Sequence, residues 1–189
     1  MSDNRQRILD VALEVLGRNP DAGMGDIAVA AGVVRRTVYG HFASRTDLVR
    51  TLMQQAVSEV AAVLAEADAP GRPADAVWAD FVARLWPLGH RYRVLLVLRR
   101  GAHGDEIHAP QEPIEGRLAG LVARGQDAGV FGRHLPARLL GRVAYAAVLA
   151  LADDGLAEDA LDGTAATVTT LLMLGVPAAR AQALVDGRP

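Results

Sequence analysis

The stretch from residue 23 to residue 42 constrains the fold most, because small and apolar residues recur in it at the intervals of two crossing helices. Ala28 and Gly32 stand four residues apart, and Val38 follows six residues later. Glycine allows the backbone to turn sharply at the end of a helix at low steric cost. A small residue at the crossing, a glycine in the turn and an apolar anchor in the second helix suit a helix-turn-helix. We therefore predict two short helices held at a fixed angle around Gly32.

The second of these helices carries polar side chains that a small core cannot bury, with Arg35 and Arg36 near its start. An α-helix fits the major groove of duplex DNA, where arginine pairs bidentately with guanine and an apolar group such as Val34 contacts a thymine methyl. Arg45 stands at the start of the next helix, where anions bind readily. A plain solvated helix face is the alternative, but at this spacing we predict DNA contact. The predicted DNA-binding residues are Val34, Arg35, Arg36, Thr37, Tyr39, Gly40, His41 and Arg45.

This segment resembles the DNA-binding domain of the TetR family of transcriptional regulators. The residues that carry the resemblance are Asp26-Ile27-Ala28, Ala31-Gly32-Val33, Thr37-Val38-Tyr39, His41-Phe42, and Ser44-Arg45 followed by Leu48. The resemblance implies that Tyr39, His41 and Arg45 mainly bind phosphates, and such contacts set register more than sequence. The chain departs from the family at Gly23 and Val34, where Ser or Thr usually begins each helix. Valine is a poor N-cap, which bears on the phosphate contact usual at position 34 but not on the fold.

The rest of the chain shows helical spacing of apolar residues and no alternation of the strand type, so we predict an all-α fold. Pro87 is expected to end the helix that contains it. Helices are predicted at 4–18, 46–68, 74–86, 90–103, 115–128, 137–152, 164–174 and 177–185, besides the two of the helix-turn-helix. We predict a three-helix DNA-binding domain at 1–48 and an all-helical dimerisation and effector-binding domain at 49–189, with the boundary inside a shared helix.

Composition excludes several classes of protein and site. The 189 residues include no cysteine, so disulfides and thiolate metal sites are ruled out, and the net charge of −2 requires any DNA contact to be a local patch. No nucleophile motif, phosphate-binding glycine loop or credible carboxylate pair is present, so we expect neither an enzyme nor a cofactor. There is no secretory leader, and the longest uncharged run, 163–179, is broken by Gly175 and Pro177. We expect a cytoplasmic protein that does not span a membrane.

The predicted helices at 137–152 and 164–174 are apolar nearly all round, which is typical of helices buried in a core or an interface. Small residues on the first of them allow close helix approach; they are Gly141, Ala144, Ala147 and Ala150. An internal core is one interpretation. A homodimer in which this helix pair meets its two-fold mate as a four-helix bundle is the other. The resemblance and the need to contact two half-sites favour the dimer.

Aromatic residues cluster between 78 and 92, in a chain that has only two Trp, three Tyr and three Phe. They could line an apolar pocket with a few polar groups, or they could be ordinary core. The candidate ligand-binding residues are Trp78, Phe81, Trp86, His90, Arg99 and His103. His103, Glu106 and His108 lie in a loop-like stretch without the spacing of helix-borne metal ligands, so no metal site is predicted.

Taken with the resemblance, these features predict a homodimeric DNA-binding transcriptional regulator, a repressor released from a palindromic operator by a small-molecule effector. The resemblance implies that the effector binds in the C-terminal domain and shifts the long helix at 46–68. A regulator without an effector is one alternative. A helical enzyme or small-molecule carrier with a vestigial DNA-binding segment is the other.

Overall fold

The computed structural model describes residues 2–100, 112–153 and 162–187, and throughout these residues the regular structure is helical. The helices are α1 Ser2–Arg18, α2 Met24–Ala30, α3 Arg35–His41, α4 Arg45–Ala67, α5 Ala74–Arg91, α6 Arg93–Arg100, α7 Glu112–Asp127, α8 Ala137–Asp153, α9 Gly163–Met173 and α10 Ala178–Asp186. The predicted all-α fold is confirmed. Among the described residues no helix is both long enough and apolar enough to cross a membrane.

Pro87 does not end α5, so the predicted stop near residue 86 is wrong. The helix continues through Pro87 to Arg91, and α6 begins only at Arg93. Proline removes one backbone N–H donor and crowds the preceding turn, but tertiary packing can outweigh both effects. Gly89, in the turn after Pro87, is buried, and a β-carbon there would lie 2.9 Å from the Cβ of Ala152 on α8. The close packing of this turn on α8 accounts for the continued helix.

The chain divides into two compact units, and one boundary between them falls inside α4, after Val57. The first unit contains residues up to Val57 together with the segment that begins at Arg91. In it α1 packs on α2 and α6, and α2 packs on α3. Its buried side chains include Ile8, Leu9, Leu16, Ile27, Val38, Phe42, Leu48 and Leu52. The prediction that a DNA-binding domain ends at residue 48 stays a prediction.

The second unit contains Ser58–His90 and the described residues from Glu112 onward. In it α7 packs along α8, α8 along α9, and α9 against α10. Gly129, just beyond the end of α7, has a φ of 70°, a conformation that glycine adopts without strain. Long-range polar contacts add to the apolar core, since Arg180 of α10 donates to the buried carboxylate of Asp75 on α5 at 2.8 Å.

Candidate nucleic-acid interface

The turn between α2 and α3 is closed by backbone hydrogen bonds around Gly32. Gly32 has a φ of 65°, and its N–H donates to the carbonyl oxygen of Val29 at 3.1 Å. The N–H of Val33 donates back to Ala28 at 3.0 Å. Helices commonly end with a glycine in the left-handed conformation, and the N–H of the following residue then donates to a carbonyl oxygen in the last turn of the helix. The sequence prediction for Gly32 is confirmed, and the turn fixes how α3 projects from the first unit.

The two departures from the family pattern both fall at helix N-caps. Gly23 caps α2 without a side chain, and the Asp26 carboxylate instead accepts the N–H of Gly23 at 2.8 Å. Val34 caps α3 in an extended conformation with no side-chain hydrogen bond. Its isopropyl group is 68% exposed, so an apolar surface stands where a hydroxyl would otherwise cap the helix.

The seven residues of α3 divide between core and surface as their spacing predicts. Val38 is fully buried, and Phe42, just beyond the helix, is 1% exposed. Arg35 and Arg36 are exposed, and Tyr39 is 45% exposed. Gly40 is exposed, while Thr37 and His41 are half-buried. The structure therefore brings Val34 and the predicted residues of α3 together on one short segment of the first unit.

The two arginines of α3 differ in their surroundings. The Arg35 guanidinium lies 5.9 Å from the ring centroid of Tyr39, one helical turn further along. It also lies beside Gly25 of α2, because a β-carbon built on Gly25 would be 3.9 Å from the Cζ and Nε atoms of Arg35. Arg36 is exposed, and in the described part of the chain its side chain has no hydrogen bond, ion pair or ring contact.

Arg45 has partners within the protein. It is half-buried, its Nε donates to the carbonyl oxygen of Ala22 at 3.0 Å, and a second guanidinium nitrogen donates to the carbonyl oxygen of Pro20. The side chain therefore fastens the loop between α1 and α2 to the start of α4. Sequence reasoning missed these bonds, because the partners are 23 and 25 residues away. The phosphate contact of Arg45 stays a prediction.

Sequence reasoning also missed two further features of this surface, one of which has a local signal. Ser44 and Asp47 form a reciprocal cap at the start of α4: the N–H of Asp47 donates to Ser44 Oγ at 3.0 Å, and the N–H of Ala43 donates to the Asp47 carboxylate at 3.1 Å. Ser followed three residues later by an acid is the pattern of such a cap. The Cζ atom of Arg5 lies 5.1 Å from the centroid of the Phe42 ring, so a basic group of α1 lies beside the end of α3.

The six candidate ligand-binding residues do not form one group. Trp78 and Phe81 are fully buried with ring centroids 6.1 Å apart, and Trp78 Nε1 donates to Thr170 Oγ1 at 3.0 Å. Trp86 is half-buried and His90 exposed, and their rings meet edge to face at 5.1 Å. The Arg99 side chain and all of His103 lie outside the described residues.

A cleft of about 460 Å³ in the first unit is lined by Asp10, Leu13, Glu14 and Arg91, and the described candidates Trp78, Phe81, Trp86 and His90 are not among these residues. Within the described residues no group of three His, Cys, Asp or Glu side chains could hold a metal ion. Glu106 and His108, like His103, lie outside them.

Part of the surface of α8 and α9 is apolar. Val143 is 39% exposed and Leu172 is 46% exposed, and Ala146 and Ala150 are exposed as well. The small residues at the start of α8 face inward instead. A β-carbon on buried Gly141 would lie 3.3 Å from Val122 of α7, so this glycine allows α7 and α8 to approach closely inside the chain.

Comparisons with known proteins agree with the geometry of the first unit. The family profile of bacterial regulatory proteins, tetR family, matches residues 8–52. The HTH-type transcriptional repressor LfrR of Mycolicibacterium smegmatis is 41% identical over 85 residues, which is 45% of each protein. The HTH-type transcriptional regulator AcrR of Shigella flexneri is 36% identical over 75 residues, 38% of this chain and 35% of AcrR. The matched stretches thus span less than half the length of these relatives.

Solved structures extend the likeness of fold to most of the chain. The fatty acid degradation regulator FadR from Bacillus halodurans superposes with a TM-score of 0.77 at 18% identity, covering 90% of this chain and 94% of FadR. RolR in complex with resorcinol superposes with a TM-score of 0.67 at 18% identity, covering 100% of this chain and 95% of RolR. At such identity the likeness shows the fold alone. The match to the tetR family profile concerns residues 8–52, and the likeness of the whole chain to these structures is one of fold.

Proposed function

We propose that the chain is a transcriptional regulator that binds a palindromic operator in double-stranded DNA and acts as a repressor. The observation that carries the proposal is the exposed surface of α3, where Val34, Arg35, Arg36 and Tyr39 project from a helix fixed by the turn at Gly32. The chain has a net charge of −2, so these arginines form the kind of local basic surface that groove binding requires. The names of LfrR and AcrR, a repressor and a regulator, support the same role. A DNA-binding repressor acts in the cytoplasm, where we expect this protein.

The proposed DNA-binding form is a homodimer, because each chain offers one recognition helix and a palindrome has two half-sites about 34–36 Å apart or a multiple of that distance. The exposed apolar residues of α8 and α9 support an interface there. Val143, Ala146 and Ala150 recur at intervals of three and four on α8, as the residues of a helix-packing face do, and Leu172 adds an apolar group on α9. Such a patch on a two-fold axis would meet its own copy.

The oligomeric state can be tested with a matched pair of valines. Val143→Asp places a charge in the proposed interface and should convert the dimer to a monomer at micromolar concentration in sedimentation experiments. Val97→Asp on α6, where the valine is 47% exposed, adds the same charge outside that interface and should leave the dimer intact. A wild-type protein that sediments as a folded monomer would refute the dimer.

We further propose that a small apolar molecule bound by the second unit releases the operator. The structure of RolR with resorcinol, in a regulator of similar fold, supports an effector of this kind. An effector acts only through its difference in affinity for the bound and released states, and a 100-fold change in operator affinity needs about 2.7 kcal/mol of that difference. Of the described candidates, Trp86 and His90 are accessible from the surface and Trp78 and Phe81 are buried, while the Arg99 side chain and His103 stay candidates outside the described residues.

Operator binding is tested by selecting bound duplexes from a random-sequence library and measuring their affinity at several salt concentrations. We expect one enriched palindromic sequence and a linear fall of log affinity with log salt, at about 0.9 units per phosphate neutralised. Equal retention of all sequences would contradict the proposal. A screen of planar aromatic compounds, resorcinol included, for release of the selected duplex then tests the effector. If no compound releases it although the duplex binds, a regulator without an effector becomes the better description.

A further inference from the structure

Gly25 has no conformational reason to be glycine. It is the second residue of α2, and its φ is not positive, unlike that of Gly32. Glycine inside a helix is less stable than alanine by about 0.5–1 kcal/mol. The packing neighbour here is the guanidinium of Arg35, which a β-carbon at position 25 would approach to 3.9 Å. An alanine at position 25 would therefore just touch the guanidinium, whereas a larger side chain would compete with it for the same space.

The same guanidinium has a second neighbour on α3. The Tyr39 ring lies 5.9 Å from Arg35 Cζ, within the range of a cation–π contact. The Arg35 guanidinium therefore has two neighbours: α2 at Gly25, and the Tyr39 ring one turn further along α3. Arg36 is the next residue of α3 and is equally exposed, but no such contact is found for it in the described part of the chain.

Restraint of this kind matters for base recognition. A long side chain loses rotamer freedom when it binds, and a side chain already held in place loses less. The planar guanidinium offers two parallel N–H donors that match O6 and N7 of guanine in the major groove. With the Tyr39 ring and α2 at Gly25 beside it, the Arg35 guanidinium has fewer directions open to its donors than the guanidinium of Arg36.

We propose that Tyr39 is a positioning residue that holds Arg35 to recognise one guanine of each half-site, and that residue 25 of α2 must stay small for Arg35 to take this position. The inference rests on the proposed function, since it assigns roles within the DNA-binding surface. It separates the two arginines: Arg35 is the restrained contact that depends on α2, and Arg36 contacts DNA independently of position 25.

The test uses Gly25→Val in the full-length protein. Valine has two γ-carbons that fill two of the three staggered positions about its Cα–Cβ bond, so its side chain cannot easily turn away from Arg35. We expect Gly25→Val and Arg35→Ala each to reduce the preference for guanine at one operator position by roughly 5- to 150-fold. The conservative Gly25→Ala, whose methyl group would clear the guanidinium at 3.9 Å, should keep the preference.

A double-mutant cycle separates positioning from other effects of the substitution. If residue 25 acts through Arg35, Gly25→Val should change the guanine preference little in an Arg35→Ala background, and should combine multiplicatively with Arg36→Ala. Selection from the random duplex library, read by sequencing, measures the preference of every variant. Tyr39→Phe should keep the base preference because the ring remains, whereas Tyr39→Leu should weaken it at the same position.

Gly17→Val is the matched control, because Gly17 is an exposed glycine of α1, and a β-carbon added to it would have no neighbour within 4 Å. It should leave the selected sequence unchanged and should not lower the thermal unfolding temperature. A wild-type protein that enriches no sequence would overturn the proposed function and this inference with it. A wild-type protein that enriches one, while Gly25→Val acts equally with and without Arg35, would overturn the inference alone.

Discussion

The surface of α3 that we propose to contact DNA and the aromatic cluster between residues 78 and 92 are both groups of neighbours in the sequence. In the folded chain the first group stays together and the second does not. The first stays together, because Val34 to His41 lie on one short helix and its N-cap. The second divides into a buried pair, Trp78 and Phe81, and an outer pair, Trp86 and His90. A surface carried by one helix is set by local periodicity, whereas a pocket depends on which distant helices cover each residue.

Much of the first unit could be predicted for this reason. A helical period of 3.6 residues directs Val38 inward when Arg35, Arg36 and Tyr39 face outward, and glycine is the residue that tolerates the φ of 65° at the turn. What the sequence did not reveal is the environment of each exposed group. The bonds of Arg45 to Ala22 and Pro20, like the space beside Gly25, depend on how α2 lies against its neighbours.

The second unit depends on contacts across much longer stretches of chain. Trp78 bonds to Thr170, 92 residues away, and Asp75 pairs with Arg180, 105 residues away. Periodicity predicts that such residues are buried but not what they touch. The continuation of α5 through Pro87 has the same origin, because the close approach of Gly89 and Ala152 involves a helix more than sixty residues later. The following predictions test this contrast, beginning with the largest effect.

Replacing Trp78 with alanine should reduce the free energy of unfolding by about 3–5 kcal/mol, because it leaves a cavity in the core. The side chain is fully buried between Phe81 and Thr170. Urea denaturation of the variant measures the loss. Trp78→Phe keeps an aromatic ring and lacks the indole N–H, so it should cost considerably less. An almost unchanged stability, together with an altered response to an effector, would restore Trp78 as a pocket residue and weaken the contrast between the two regions.

Gly125→Ala should destabilise the second unit by about 1–3 kcal/mol or more through overpacking. A β-carbon at position 25 of α2 would only touch its neighbour, but a β-carbon on Gly125 would overlap the ring of Phe131, which is 3% exposed. Gly120 on the same helix has no such neighbour, so Gly120→Ala should instead stabilise by about 0.5–1 kcal/mol. Opposite signs for two alanines on α7, measured by urea denaturation, are the expected result; the same sign would show that Phe131 moves aside freely.

Arg45→Ala tests two roles of this residue: the phosphate contact predicted from its position at the start of α4, and the hydrogen bonds to Ala22 and Pro20 that the structure shows. Loss of its bonds to Ala22 and Pro20 should lower the free energy of unfolding by about 1 kcal/mol. Loss of a phosphate contact should also weaken binding to all duplexes and reduce the salt slope by about one unit. Arg45→Lys keeps the charge but not the guanidinium geometry, so it should restore much of the salt slope and little of the stability. A changed base preference with an intact salt slope would contradict the phosphate contact, and an unchanged free energy of unfolding would contradict the structural role.

The smallest expected effect concerns Asp80, whose carboxylate pairs with two arginines near it in the sequence. Guanidinium nitrogens of Arg72 and Arg84 lie 2.8 Å and 2.9 Å from its oxygens. Partial burial raises the pKa of Asp80, but hydrogen bonds and charge from Arg84 and Arg72 outweigh it and hold the pKa below its ordinary value of 3.8. Because the unfolded chain binds the proton more readily, the pairing stabilises the fold fully above the ordinary pKa and is lost as the pH falls through the lower pKa of the folded state.

Wild-type protein should therefore exceed Asp80→Asn in stability by a few tenths of a kcal/mol near neutral pH, as is usual for partly exposed ion pairs. That difference should shrink below about pH 4, where the carboxyl begins to titrate. Urea denaturation of both proteins between pH 3 and 7 measures it, and raising the salt concentration should reduce it at pH 7 as well. A difference that stays constant from pH 7 to pH 3 would show that asparagine disturbs the packing of α5 and that the charge of Asp80 contributes nothing. A confirmed pH dependence would show that the surroundings of Asp80, like those of the α3 residues, are set by residues near it in the sequence. Asp80 would then differ from Trp78 and Asp75 of the same unit, whose partners are distant in the sequence.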